Sequence, residues 1–209
     1  MDHKHHQSLE WIKRIKALAE MGLVYTENDY DKERFEEMRT LSHQLMSVMT
    51  DVPLKVLEDF FLPQKDYPTP KVDIRGFILN EEKQVLLVKE GEDGRWSLPG
   101  GWGDVGYSPS EVIIKEIKEE AGLEAAVVRL LAVYDKKCHP HPPQPFYVYK
   151  LVFYCTVDAG LMQTSFDIEA ARYFDIGQLP DLSEDRILKS QVEQLHAMVT
   201  QETLEVHID

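Results

Sequence analysis

Residues Gly100 to Leu123 read GGWGDVGYSPSEVIIKEIKEEAGL, a glycine loop, a helix and a stop. Ser108 is placed to cap the helix, Pro109 suits its first position, and Glu111 completes an S-x-x-E capping box. Val112, Ile113, Ile117 and Ala121 recur at helical spacing and form an apolar side. Gly122 can take the left-handed conformation that ends a helix. Away from the apolar side stand Glu116, Glu119 and Glu120, at i, i+3 and i+4, which brings three carboxylates onto one helix face.

Carboxylates that close repel one another, and a hard divalent cation relieves the repulsion. Mg²⁺ takes oxygen ligands and binds through a few carboxylates together with substrate phosphates. The glycines ahead of the helix let backbone approach a ligand closely, so a carbonyl such as that of Gly101 can join the shell. A solvated acidic face is the ordinary reading of an isolated E-x-x-E-E. The coincidence of glycine loop, cap, carboxylate trio and glycine stop argues for a site instead.

The stretch resembles the box of the Nudix family, G-x5-E-x7-R-E-U-x-E-E-x-G-U with U a bulky aliphatic residue. Gly101, Glu116, Ile117, Glu119, Glu120, Gly122 and Leu123 match it. Two positions depart: Tyr107 stands where the first Glu belongs, and Lys115 stands where Arg belongs. Lys115 keeps the charge but lacks the planar fork that pairs bidentately with a carboxylate. The resemblance implies that Glu116, Glu119 and Glu120 hold Mg²⁺ or Mn²⁺. It also implies an α/β fold, the α/β/α sandwich with mixed sheet, from about Val72 to Met198. RWSLPGGW before the box and RYFDIGQLPDL near the end strengthen it.

Upstream, Leu9, Trp11, Ile12, Ile15 and Leu18 form an apolar side opposite Lys13, Arg14 and Lys16, which predicts a helix from Ser8 to Ala19 with Gly22 as its stop. A second helix is predicted after Asp29, to about Met49, with Phe35, Met38, Leu41, Leu45 and Val48 inside, and a third from Val52 to Phe61. MDHKHH at the start is read as a frayed end rather than a metal tract. Pro63, Pro68 and Pro70 then break regular structure. Residues 1–65 therefore read as a small all-α domain and residues 70–209 as the catalytic one. Three short helices make a thin core, so the N-terminal unit needs a partner surface, and a homodimer bordering the pocket is the expectation.

Downstream of the linker, strands are predicted at Val72–Leu79, Val85–Val88, Ala126–Tyr134, Phe146–Val157 (central, apolar on both faces) and Ala171–Phe174, with a final helix capped by Ser183. The formal charge of −14 and the lack of a basic block exclude duplex DNA as a tight partner. No apolar run reaches the roughly 18 residues of a membrane span. Two cysteines, Cys138 and Cys155, and no apolar leader fit a cytoplasmic protein without a disulfide framework. Cys138-His139-Pro140-His141 is too tightly spaced for a zinc cage and reads as a loop.

The expected chemistry is water attack on a phosphorus of a nucleoside diphosphate derivative. The metal neutralises phosphate charge and lowers the pKa of a bound water. Glu119, or Asp167 or Glu169 in a loop before the last strand, orients or deprotonates that water. Arg75, Lys89 and Lys150 are strand cations that can meet phosphate, Arg75 with support from the resemblance. The layout resembles the Gram-positive Nudix group that carries an N-terminal helical domain, which implies CDP-choline as first substrate and ADP-ribose as second. An RNA-processing hydrolase and a non-catalytic nucleotide sensor are the other readings.

Overall fold

The computed structural model describes residues 3–61, 67–158, 164 and 167–209. Pro63 to Asp66 of the expected linker lie outside them. The chain divides into two compact units, one of Met1–Pro70 with Pro143–Tyr147, the other of Lys71–Pro142 with Val148–Asp209.

The larger unit holds two sheets. One has the order β4-β1-β6-β5-β8, from β1 (Lys71–Phe77), β4 (Gly100–Trp102), β5 (Ala125–Asp135), β6 (Val148–Val157) and β8 (His207–Ile208). The other has the order β3-β2-β7, from β2 (Val85–Glu90), β3 (Trp96–Ser97) and β7 (Ile168–Phe174). Strand β1 runs parallel to β6 and antiparallel to β4, so the sheet is mixed. Side chains alternate across it, as a period of two requires. Leu86, Ile74 and Phe153 join Val112, Ile113 and Ile117 of α4 (Pro109–Ala121) in one core. Val85, Leu87 and Val152 join Val192 and Leu195 of α5 (Lys189–Thr200) in the other. The result is the expected α/β/α sandwich, with β6 central.

Element bounds differ from expectation at several points; β1, for one, ends at Phe77 rather than Leu79. Strand β6 begins at Val148 rather than Phe146, because Pro142, Pro143 and Pro145 keep the preceding segment from pairing. Strand β7 begins earlier, at Ile168, so Glu169 lies in the strand and only Asp167 in the turn before it. A further two-residue strand, β8, follows it. The last helix begins at Lys189 rather than behind Ser183, whose hydroxyl donates instead to Asp93 at 2.7 Å. Ile187 and Leu188 are buried nonetheless, ahead of the helix.

The smaller unit contains α1 (His3–Tyr25), α2 (Asp29–Thr50) and α3 (Leu54–Phe60). Helix α1 starts before Ser8 and runs through Gly22. A glycine inside a helix costs about 1 kcal/mol, too little to stop it. Gly22 makes room for α2, since a Cβ there would lie 2.5 Å from the Phe35 ring. Asn28 caps α2 by accepting from the N–H groups of Tyr30 and Asp31.

The faces of these helices correct the expectation. Leu9 and Ile12 are buried with Met46 and Leu57. Lys13 and Lys16 are buried too, while Trp11, Ile15 and Leu18 are exposed. On α2, Ser42, His43 and Met46 are inside, and Met38, Leu41, Leu45 and Val48 are exposed. The buried lysines are partnered: Lys16 meets Glu20 at 2.5 Å and lies 3.9 Å over the Phe61 ring, and Lys13 pairs with Glu10. Their alkyl stems fill space an aliphatic residue would otherwise occupy. Phe146 stacks on Phe60 at 5.5 Å, and the Tyr147 hydroxyl donates to the Glu10 carbonyl at 3.0 Å, which completes this unit with a piece from late in the sequence.

Candidate active site

Helix α4 forms as the sequence requires. Ser108 accepts from the Glu111 N–H while the Glu111 carboxylate accepts from the Ser108 N–H, and Gly122 at φ 70° ends the helix. Its outer face opposes the glycine segment of β4. The Gly100 N–H donates to Glu120 Oε2 at 2.8 Å. A Cβ at Gly101 would lie 2.7 Å from Glu116 Oε1, so only glycine admits that carboxylate against the backbone. Gly100 is held at φ 137°, where a Cβ would lie 2.1 Å from the Ile74 carbonyl. Both glycines are therefore fixed by close approach.

Burial pushes the Glu120 carboxyl up to about 8, with Glu90 and Glu116 adding to the rise, against the pull of Arg75 and of the Gly100 N–H. Burial also raises Glu116, with Glu119 adding to the rise, while Lys115 and Arg75 oppose it. These are carboxylates whose negative charge the protein alone does not support. Among the described residues no three His, Cys, Asp or Glu side chains are gathered tightly enough to enclose an ion as they lie. Glu116 and Glu120 sit against the glycine segment; Glu119 is more exposed and lies 3.9 Å from Lys115. An all-oxygen carboxylate set against a glycine segment, short of positive charge, fits a hard divalent ion completed by water and phosphate.

The two departures from the box meet one another. Lys115 Nζ lies 5.7 Å over the Tyr107 ring and 3.3 Å from Asp104 in the loop before α4. A cation–π contact and a loop carboxylate thus occupy the ammonium.

The strand cations are all engaged. Arg75 is nearly enclosed, and its guanidinium donates to Asp73 at 2.8 Å, to Ser97 Oγ at 3.3 Å and to the Leu98 carbonyl at 3.0 Å. Lys150 is wholly buried against Asp73, which removes it from any phosphate. Lys89 pairs with Glu169 at 2.5 Å across β2 and β7, so a predicted phosphate ligand and a predicted base occupy each other. Asp167, two residues earlier, receives the Gly91 N–H on its carbonyl at 2.8 Å, and its charge is felt by Glu90. The loop of Cys138 to His141 holds no metal set: His139 pairs with Asp209 at 2.7 Å, and His141, bonded to the Glu184 carbonyl, is buried. Cys138 and Cys155 are free thiols.

Sequence reasoning missed Glu90. It is largely buried at the end of β2, 3.7 Å from Arg75 and 3.2 Å from Arg186. It belongs to no motif, and only the pairing of β2 with β3 and β7 places it there.

Residues 69–195 match the NUDIX domain. The chain belongs to the Nudix family. Residues 6–61 match a second family described as a UDP-X-like, N-terminal oligomerisation domain of Nudix proteins. A putative ADP-ribose pyrophosphatase of Bacillus subtilis strain 168 is 42% identical over 187 residues, covering 90% of this chain and 89% of the relative. An ADP-ribose pyrophosphatase of Methanocaldococcus jannaschii is 34% identical over 57% of this chain and 70% of the archaeal protein. Among solved structures, a UDP-X diphosphatase superposes with a TM-score of 0.64 at 36% identity, covering 96% of this chain and 97% of that one. An ADP-ribose pyrophosphatase of Streptococcus suis 89-1591 gives 0.61 at 35% identity over 68% of this chain and 100% of that one. This Nudix chain is a pyrophosphohydrolase, of a family that works with a divalent metal ion such as Mg²⁺ or Mn²⁺. Among its described residues no helix is long and apolar enough to cross a membrane.

Proposed function

We propose that this Nudix enzyme hydrolyses the pyrophosphate of a nucleoside diphosphate joined to a second group, with ADP-ribose as first substrate and CDP-choline as the alternative. The observation that carries the reaction is the seating of Glu116 and Glu120 against Gly101 and Gly100. ADP-ribose moves ahead of CDP-choline because relatives named for it align along the chain, one of them over 90% of its length. Glu116, Glu119, Glu120 and the Gly101 carbonyl would hold Mg²⁺ or Mn²⁺, which would supply charge neutralisation and a water of lowered pKa. Glu119, Asp167 or Glu169 would orient the attacking water and take its proton, Glu169 only on leaving Lys89. The new P–O bond forms from water as the bridging P–O bond breaks, giving a nucleoside monophosphate and a phosphorylated remainder.

The helical unit makes this enzyme a homodimer. Its exposed apolar stripes on α1 and α2, and the oligomerisation domain its sequence matches, support this. The test of function is incubation with ADP-ribose, CDP-choline and a UDP-sugar in Mg²⁺ or Mn²⁺, with products separated by chromatography. AMP and ribose 5-phosphate are the expected products, and no cleavage of any of the three overturns the reading. Glu119→Gln and Glu120→Gln each cut turnover by roughly 10²–10³-fold, as loss of a charge-stabilising group does at such centres. Near-parental rates in both remove the metal assignment.

A further inference from the structure

Arg75 is the cation most closely built into the region behind the carboxylates, and its surroundings do not suit a phosphate ligand. Its side chain is 8% exposed, and two of its three nitrogens are committed to protein: Nε–H on Asp73, one terminal nitrogen on both Ser97 Oγ and the Leu98 carbonyl, with Glu90 at 3.7 Å. Those acceptors lie just ahead of the glycines. In the β1–β4 pairing Arg75 stands opposite Gly100, and Gly76 N–H donates to the Pro99 carbonyl at 2.8 Å. The guanidinium and its own strand therefore grip the segment from Ser97 to Gly100 from two sides. Gly100 carries the N–H that holds Glu120, and Gly101 is the wall against which Glu116 rests. Meanwhile the basic residue of the box, Lys115, is shared among Asp104, the Tyr107 ring and, at 3.9 Å, Glu119.

We propose that Arg75 is a positioning residue of the metal cradle rather than a substrate ligand: by clamping Ser97 and Leu98 it fixes the glycine wall that sets Glu116 and Glu120. The planar fork is what the task needs, since it must reach a carboxylate, a hydroxyl and a carbonyl at once. A lysine there keeps the charge and loses the simultaneous contacts.

This inference rests on the reading of Glu116 and Glu120 as metal ligands, and Mn²⁺ binding without nucleotide tests it independently of substrate choice. Free Mn²⁺ is followed by its EPR signal during titration of the full chain. Arg75→Lys is expected to weaken Mn²⁺ binding about 10-fold, the usual effect of losing a group that orients a ligand. Lys115→Ala is expected not to weaken it. At saturating Mn²⁺, Arg75→Lys keeps the ADP-ribose KM within about twofold while kcat falls, as expected when an interaction supports the reaction rather than uniform binding. Unchanged Mn²⁺ affinity in Arg75→Lys overturns the proposal, as does a KM rise of about 10-fold with kcat intact, the mark of a direct substrate contact. If Arg75→Lys fails to fold, Ser97→Ala carries the test: it removes one acceptor of the clamp and weakens Mn²⁺ binding by about threefold, and unchanged affinity there overturns it. If Glu120→Gln also leaves Mn²⁺ affinity unchanged, the metal reading itself has failed, which separates the two errors.

Discussion

Helices α1 and α4 carry the same kind of sequence pattern and use it in opposite ways. In α4 the apolar positions Val112, Ile113 and Ile117 are buried. In α1 the basic positions Lys13 and Lys16 are buried, while Trp11 is 59% exposed. The cores differ accordingly. The helical unit rests on Leu9, Ile12, Met46 and Leu57, whereas the catalytic unit has an apolar cluster on each side of its sheet. An amphipathic stripe identifies surface that is covered in the working assembly, which need not be covered within one chain. The catalytic unit covers its stripes internally; in the helical unit Trp11, Leu41, Leu45 and Val48 stay exposed.

The strongest way to break the contrast is to damage the self-sufficient unit where it has least room. Gly100→Ala sets a Cβ 2.1 Å from the Ile74 carbonyl at a positive φ, and backbone cannot step aside. A loss of about 4 kcal/mol or more is expected, read by urea unfolding followed by tryptophan fluorescence. A parental midpoint would mean that β4 is free to shift.

Next is the effect of pH on the catalytic unit without metal. The Glu120 carboxyl titrates higher folded than unfolded, at about 8 against an ordinary 4.5. Its contribution is therefore fully present below pH 4.5 and is lost as pH rises through about 8. Unfolding free energy in EDTA should fall across that window by on the order of 5 kcal/mol. Mg²⁺ should remove most of the slope, and Glu120→Gln should flatten it in EDTA. A slope indifferent to both would place the titration elsewhere.

The helical unit is probed by charge on its outer stripe. Leu45→Glu with Val48→Glu alters residues that are exposed within the chain, so helix content should hold by circular dichroism. Dissociation of the assembly should rise by tenfold or more, about 1.4 kcal/mol, in sedimentation at low micromolar concentration. An unchanged association constant would move the interface off α2. The smallest effect belongs to Gly22→Ala. The atoms nearest its Cβ would belong to the Phe35 ring, a side chain that can turn, and alanine returns up to about 1 kcal/mol of helix propensity. A net change within about 1 kcal/mol in thermal unfolding is expected.

The central strand and the α4 signals were legible because each depends on local chemistry, an apolar run, a cap three residues from its partner, glycine at a stop; the sandwich itself was implied by the resemblance to the Nudix box. The box also placed Glu116, Glu119 and Glu120 on one helix. What the sequence did not disclose depends on residues far apart in it. The Lys89–Glu169 pair joins strands nearly eighty residues apart and reassigns two candidates at once. Ser183 looked like a helix cap because its local pattern is one, yet Asp93, ninety positions earlier, claims the hydroxyl. The inside and outside of α1 were misjudged because Lys16 finds both Glu20 and the face of Phe61, partners that make its burial acceptable.

The Pro143–Tyr147 piece also sets an order of events during synthesis. Helices α1 to α3 are translated by Phe60, but Phe146 and Tyr147, which close their unit, come more than eighty residues later. At about 5–20 residues per second, that is roughly 4–17 s in which a nascent chain displays the helices without their final segment. For that interval their apolar stripes and the uncovered Phe60 ring are both open to whatever is nearby, including neighbouring chains on the same message.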